Sequence, residues 1–453
     1  MPARRAAVQV VGGGLAGCEA ALQLARFGLP VVLHEMRPGR TTPAHRTGDL
    51  AEIVCSNSLK SRELATASGL LKAELDRLGC RLLAAARDAS VPAGAALAVD
   101  PGLFSRAVAA RVAAEPLITV ARDEVTALPA DDGTTWLLAS GPLTSPGLVA
   151  RLEELSGAAG LHFFDAIAPT VTLDSLDLTR LYRAARYGKG EADYLNCPLD
   201  RPQYEALREA LVTAECVPTR DFDRAELFAG CLPVEEIARS GPQSLAFGPL
   251  RPVGLIDPRD GRRPHAVVQL RQENRAGTLF GLVGFQTRLK HGEQQRVLRL
   301  LPGLERAEFA RFGQCHRNFY LDTPRVLDRD FALRGHGHVR CAGQITGVEG
   351  YVESIASGLV SAWLLAGQSL GVELPDWPAQ TMIGSLLGGF LFDTTSPRLV
   401  PMNANFGLLP PLPQAVRGRR ERNLAQAQRS LAALDAYLAG PGPRRLLAAA
   451  RGG

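Results

Sequence analysis

Near the amino terminus Gly12-Gly13-Gly14-Leu15-Ala16-Gly17 has the spacing G-x-G-x-x-G. That spacing suits a backbone that must turn sharply, come close to a pyrophosphate and then enter a helix. Gly12 permits the turn, Gly14 the close approach, and Gly17 the packing of helix on strand. Gly13, Leu15 and Ala16 complete the phosphate-facing run, where free N–H groups and the positive end of the helix dipole collect. Glu35 stands 18 residues past Gly17. Its carboxylate can accept hydrogen bonds from an adenosine ribose and would repel a 2′-phosphate, which disfavours NADP at this site. A glycine-rich turn without a ligand is the alternative.

Nucleophilic chemistry is the second possibility that residue types suggest. The chain has eight cysteines and no C-x-x-C pair, so neither a zinc ribbon nor a dithiol redox motif is indicated and no metal is expected. Cys55 stands among Ser56, Asn57 and Ser58, with Lys60 and Arg62 close by. Cys231 follows Gly230 at the expected start of a helix, with Pro233 in its first turn. A thiolate in either place could act covalently if a dipole or cation lowered its pKa. For any single cysteine, a small buried hydrophobe is the simpler reading.

The elements that must position these groups follow from apolar periodicity. Val8-Gln9-Val10-Val11 reads as a buried strand, Cys18 to Phe27 as a helix closing at Gly28, and Val31-Val32-Leu33-His34 as a second strand ending on Glu35. Two later segments return to the same ligand. One is Trp136-Leu137-Leu138-Ala139-Ser140-Gly141-Pro142. The other is Val339-Arg340-Cys341-Ala342-Gly343-Gln344 and Ile345-Thr346-Gly347-Val348-Glu349-Gly350, before a small-residue helix from Tyr351 to about Ala366. Three such segments favour FAD, because an NAD-only domain needs just the first. The expected fold is α/β: a Rossmann-like FAD-binding domain built from both chain ends (1–154 and 335–453), with an inserted α+β domain (155–334). Within the insertion, Leu176–Tyr187 and Arg201–Glu215 read as helices, and Ala266–Leu270 and Leu282–Phe285 as strands.

Longer motifs carry a resemblance. They include Thr42-Pro43-Ala44-His45, Ala51 to Ser61 around Cys55, Tyr194-Leu195-Asn196-Cys197-Pro198 and Gly230-Cys231-Leu232-Pro233-Val234-Glu235-Glu236. Val268 to Asn274, Gly284-Phe285-Gln286-Thr287, His316-Arg317-Asn318, Gly347 to Ser354 and Pro401 to Gly407 extend the set. From Val8 to about Pro413 the chain closely resembles the folate- and FAD-dependent tRNA (uracil-5-)-methyltransferases. The glucose-inhibited division protein A flavoproteins of wobble-uridine modification share the FAD frame and are expected to be longer. The resemblance implies reductive methylation of U54 in the tRNA T-arm: methylenetetrahydrofolate as one-carbon donor, reduced FAD as hydride source, and NADH or NADPH as reductant of the flavin. It places Cys55 on the flavin side and Cys231 on uracil, with Gly141, Gly343 and Gly347 at the dinucleotide. For the pterin it points to His316, Arg317, Asn318, Glu349 and Tyr351. Arg271, Arg288, Lys290 and the basic run 417–422 are candidate tRNA contacts, although the run reads most simply as a solvated helix face. Pro101 and Phe319-Tyr320 depart from the family pattern. A small-molecule FAD oxidoreductase would explain the glycines but not the two cysteines, and a non-catalytic FAD-bound tRNA-binding protein is a further alternative.

Composition sets the outer bounds. The 453 residues are 46% hydrophobic and 21% charged, which excludes a disordered, collagenous or coiled-coil chain. No run of about 18 apolar residues suggests a membrane span. Met1-Pro2-Ala3-Arg4-Arg5 leads directly into a strand without a signal-peptide pattern, so a cytoplasmic protein is expected. The net charge is +5, and only Lys60, Lys72, Lys189 and Lys290 among the 51 basic residues are lysines. That bias is compatible with an RNA partner and with a GC-rich genome. The oligomeric state is not legible.

Overall fold

The computed structural model describes residues 6–129, 131–188, 191–217 and 232–450. Its first sheet has six strands in the order Ala332–Leu333, His336–Cys341, Trp136–Leu138, Val8–Val11, Val31–His34 and Ile118–Ala121. Val10 pairs in parallel with Leu33 on one side and Leu137 on the other, and Arg340 pairs in parallel with Leu137. Strands from both ends of the chain therefore build one sheet. Only Ala332–Leu333 runs antiparallel, as the edge.

The helix Leu15–Arg26 buries almost every residue, which suits an element held between the sheet and another helix. That second helix is Tyr351–Leu370, and the two come close because Gly358 lacks a side chain: a Cβ there would lie 2.2 Å from the Ala16 carbonyl oxygen. One hydrophobic core gathers residues from Val8 to Leu152 and again from Phe319 to Leu446.

A separate core runs from Val171 to Ala307. It lies under a six-stranded sheet ordered Tyr182–Ala184, Tyr194–Leu199, Ala266–Gln272, Leu279–Leu282, Thr170–Thr172 and Phe309–Arg311, antiparallel throughout. The chain leaves and re-enters the first core along one antiparallel ribbon, Leu161–Ala166 with Cys315–Tyr320. Phe319 and Tyr320 are both buried there, and the Tyr320 hydroxyl donates to the Leu399 carbonyl.

The helix read over 176–187 does not form. Turns, the strand Tyr182–Ala184 and a 3₁₀ turn at Arg186–Gly188 take its place. The reason is tertiary: the Asn196 amide donates to the carbonyls of Tyr182 and Ala184 and draws the segment onto the sheet edge. Pro101 occupies the first position of the helix Pro101–Ala113, behind an Asp100 cap that accepts from Leu103 N. A proline fits there without losing a hydrogen bond. Among the described residues no helix is long and apolar enough to cross a membrane.

Candidate active site

The first strand ends in a cleft of about 1030 Å³, open mouth included, lined by Gly12, Gly14, Leu15, Ala16, Glu35, Gly141 and Gly343. Gly12 has φ +107°, and a Cβ on Gly17 would lie 1.9 Å from the Gly12 carbonyl oxygen. A Cβ on Gly14 or Gly141 would meet nothing within 4 Å, so the backbone there opens onto the cleft. No side chain caps the helix at Gly14 and its first turn has no acidic residue, which leaves the positive helix end facing the cleft. Gly13 and Gly17 do not line the cleft: a Cβ on Gly13 would strike Leu50 and Glu35, and Gly17 is buried against the strand turn.

Glu35 is nearly buried beside this turn. One carboxylate oxygen accepts from the Arg37 backbone N (3.0 Å) and Nε (2.9 Å), the other from Gly13 N (3.1 Å) and Arg37 Nη2 (2.9 Å). Burial works against its charge, but the hydrogen bonds and charge of Arg37 outweigh it and hold the carboxyl below its usual value. A ribose hydroxyl would share these oxygens with Arg37. Sequence reading missed this arginine, although it sits two residues past the acid.

The cleft continues past Val54, Pro142, Leu143, Gln344 and Tyr351 into a second cavity of about 980 Å³. Here the fold brings together Cys55, His316, Asn318, Glu349 and Tyr351, from segments as far apart as residues 55 and 351. The loop carrying Cys55 is held from both domains. The Tyr351 hydroxyl accepts from Cys55 N (2.8 Å) and Ser56 N (3.1 Å). The Asn57 amide donates to Val99 O (3.0 Å) and Gln272 O (2.9 Å), and its oxygen accepts from Arg271 Nε (2.8 Å). Arg311 Nη1 donates to Val54 O at 3.2 Å.

Charge in this cavity differs from the sequence expectation. Burial, then the negative charges of Asp165 and Glu349, push the Cys55 thiol well above its usual value, and Arg311 and Arg271 offset only part of this. Lys60 turns its ammonium to Glu353 (3.2 Å), and Arg62 donates to the Gly94 carbonyl. Lys60 also has φ +64°, a conformation that strains a residue other than glycine. Burial and the nearby Asp165 raise the Glu349 carboxyl to about 8, which favours its protonated form.

His316 and Asn318 share one face of their strand, and Arg317 between them points outward and is exposed. His316 is opposite Asp165 across the ribbon. Its buried Nε2 and Glu353 Oε2 have no hydrogen-bond partner among the described residues, so polar acceptors and donors remain for a bound heterocycle. Gly347 packs instead against Leu399 and Leu391, with φ +89°. Cys231 lies outside the described residues.

The basic candidates outside the 417–422 run each have a partner within the protein. Arg271 supports the Cys55 loop, Arg288 pairs with Glu236, and Lys290 pairs with Glu215 at 2.6 Å. Asp165, Gln344, Glu353 and Asn403 also line the cavity. Asn403 lies in a segment already singled out, whereas nothing local marks Asp165, whose place depends on pairing across the ribbon. No cluster of His, Cys, Asp or Glu among the described residues could hold a metal.

A profile described as glucose inhibited division protein A matches residues 7–373. A methylenetetrahydrofolate–tRNA-(uracil-5-)-methyltransferase of Desulforudis audaxviator is 53% identical over 432 residues, covering 95% of this chain and 98% of its own. The chain belongs to the folate-dependent tRNA (uracil-5-)-methyltransferases of the glucose-inhibited division protein A family. The family member of Geobacter sulfurreducens is 52% identical over 440 residues, covering 96% of this chain and 99% of its own. Among solved structures, Aquifex aeolicus GidA superposes with a TM-score of 0.67 at 16% identity, covering 99% of this chain and 76% of that one. That likeness establishes the shared α/β flavoprotein fold, and the longer GidA chain agrees with the expected difference in length.

Proposed function

We propose that the chain forms 5-methyluridine at position 54 of the tRNA T-loop. The reading is carried by one observation in a chain of this family: a cleft lined by the glycine turn and Glu35 runs into a cavity that Cys55 lines. Bound there, reduced FAD supplies the hydride and methylenetetrahydrofolate the carbon of the new methyl group, with NADH or NADPH as the external reductant.

The protein's own groups have separable tasks. Uracil C5 is a poor nucleophile, and Cys231 adding as thiolate at C6 would turn C5 into an enolate-like carbon. Cys55, on the loop fixed by Tyr351 and Asn57, would handle the one-carbon unit on the flavin side. Glu349, protonated, can donate a hydrogen bond to a pterin edge, and His316 Nε2 and Asn318 are further polar contacts. Flipping the target uridine out of the T-loop would bring its ring into the cavity.

The test is direct. Incubate the protein with tRNA lacking 5-methyluridine, methylenetetrahydrofolate, NADH and FAD, then examine position 54 by mass spectrometry. A methyl group there is the expected result. Its absence with yellow, folded protein would overturn the reading.

A further inference from the structure

We propose that an open groove beside the catalytic cavity, walled by Arg419, Arg420 and Arg422, binds the phosphate backbone of the RNA substrate. This rests on the methyltransferase reading above. The groove has a volume of about 1500 Å³ and is closed on its other sides by residues 63–67 and 404–407. All three arginines are exposed, as is Arg417 just before them, and none of the four forms an ion pair among the described residues.

The placement of this charge also costs the protein something locally. Arg419, Arg420 and Arg422 open the helix Arg419–Ala439, where the positive end of the dipole repels cations, and Glu421 is the only acid in that turn. Within the groove the acidic side chain is Glu63. Unpaired guanidinium groups along an open channel match a ligand with repeated negative charge, and their forks match phosphate oxygens.

The groove is joined to the chemistry by a single peptide segment. Asn403 lines the cavity of Cys55 and donates to the Glu349 carbonyl at 3.1 Å. Ala404 N donates to Glu353 Oε1, the same oxygen that Lys60 Nζ contacts. The next residues, Asn405, Phe406 and Gly407, form the groove wall. A stem whose backbone lies in the groove would thus have an unpaired base within reach of the cavity mouth.

The test uses the full-length holoenzyme with R419Q/R420Q/R422Q and, as a charge-removal control on the neighbouring helix Pro441–Ala449, R444Q/R445Q. Affinity for unmodified tRNA is titrated over a salt series, and tRNA-dependent methylation is measured alongside. Each neutralised phosphate contributes about 0.7–0.9 to the slope of log affinity against log salt, so the triple variant should lose about 2–3 from that slope. Its tRNA KM should rise at least tenfold, while its flavin spectrum stays that of the wild type and its thermal midpoint does not fall. The control should keep the wild-type slope. A triple variant with wild-type slope and affinity overturns the groove assignment, whatever the methylation result. If the wild type makes no 5-methyluridine yet the triple variant still loses slope, the groove stands and the activity reading fails.

Discussion

The hydroxyl of Tyr351 makes the most exacting test of how this site is built. It accepts hydrogen bonds from the backbone N–H groups of Cys55 (2.8 Å) and Ser56 (3.1 Å), across nearly 300 residues of chain. Burial keeps this phenol protonated far above its usual range, so it acts as a neutral acceptor. Tyr351→Phe removes one oxygen and leaves two half-buried donors without it. Each unsatisfied donor costs about 1–3 kcal/mol, and partial relaxation of the loop brings the pair to about 2–4 kcal/mol. The loop escapes this cost by moving off the ring, so the arrangement that presents the Cys55 thiol becomes rarer by the same free energy. At 1.36 kcal/mol per factor of ten, single-turnover formation of 5-methyluridine should slow by about 30-fold to about 900-fold. The measurement is rapid quench with pre-reduced flavin and saturating folate, and FAD content is read from the visible spectrum of the same sample. A Phe variant that turns over within about twofold of the wild type would refute the claim that Tyr351 positions the loop.

Three further outcomes are expected. Gly17→Ala puts a Cβ 1.9 Å from the Gly12 carbonyl oxygen, so the purified variant should lose FAD, and a yellow protein with full flavin would contradict the cradle geometry. The Glu349 carboxyl is raised from 4.5 to about 8, so the folded state holds its proton more tightly than the unfolded chain does. Its contribution is complete below about pH 4.5 and is lost as pH rises through about 8. The thermal midpoint of the wild type should therefore fall relative to Glu349→Gln over that window, and parallel pH profiles would remove Glu349 from the account. Cys231→Ala should abolish product and leave the flavin spectrum intact; normal turnover would exclude Cys231 from the reaction.

Much of the dinucleotide half is local in character and was therefore legible. A glycine that must turn at φ +107°, an apolar strand before it and a helix after it are all specified within a few residues. The later returns at Trp136–Gly141 and Val339–Gly350 could be read for the same reason. The segment 176–187 could not, because its choice between helix and strand was made by the Asn196 amide on a neighbouring strand. Arg271 illustrates the same limit: its hydrogen bond to Asn57, 214 residues earlier in the chain, is set by the fold and not by its own motif.

By itself, then, the sequence determined the glycine turn, the acid beside it, the motif resemblance that names the family, and the segments from which a site had to come. Only the tertiary structure decided the charge state and facing of that site. Strand alternation turned His316 and Asn318 inward and Arg317 out. Cross-ribbon pairing set Asp165 opposite His316, and burial beside Asp165 and Glu349 made Cys55 a reluctant acid, although Lys60 and Arg62 stand close to it in sequence. A pKa depends on every charge within several ångströms and on how much water is excluded, and both are properties of the packed fold that no local spacing encodes.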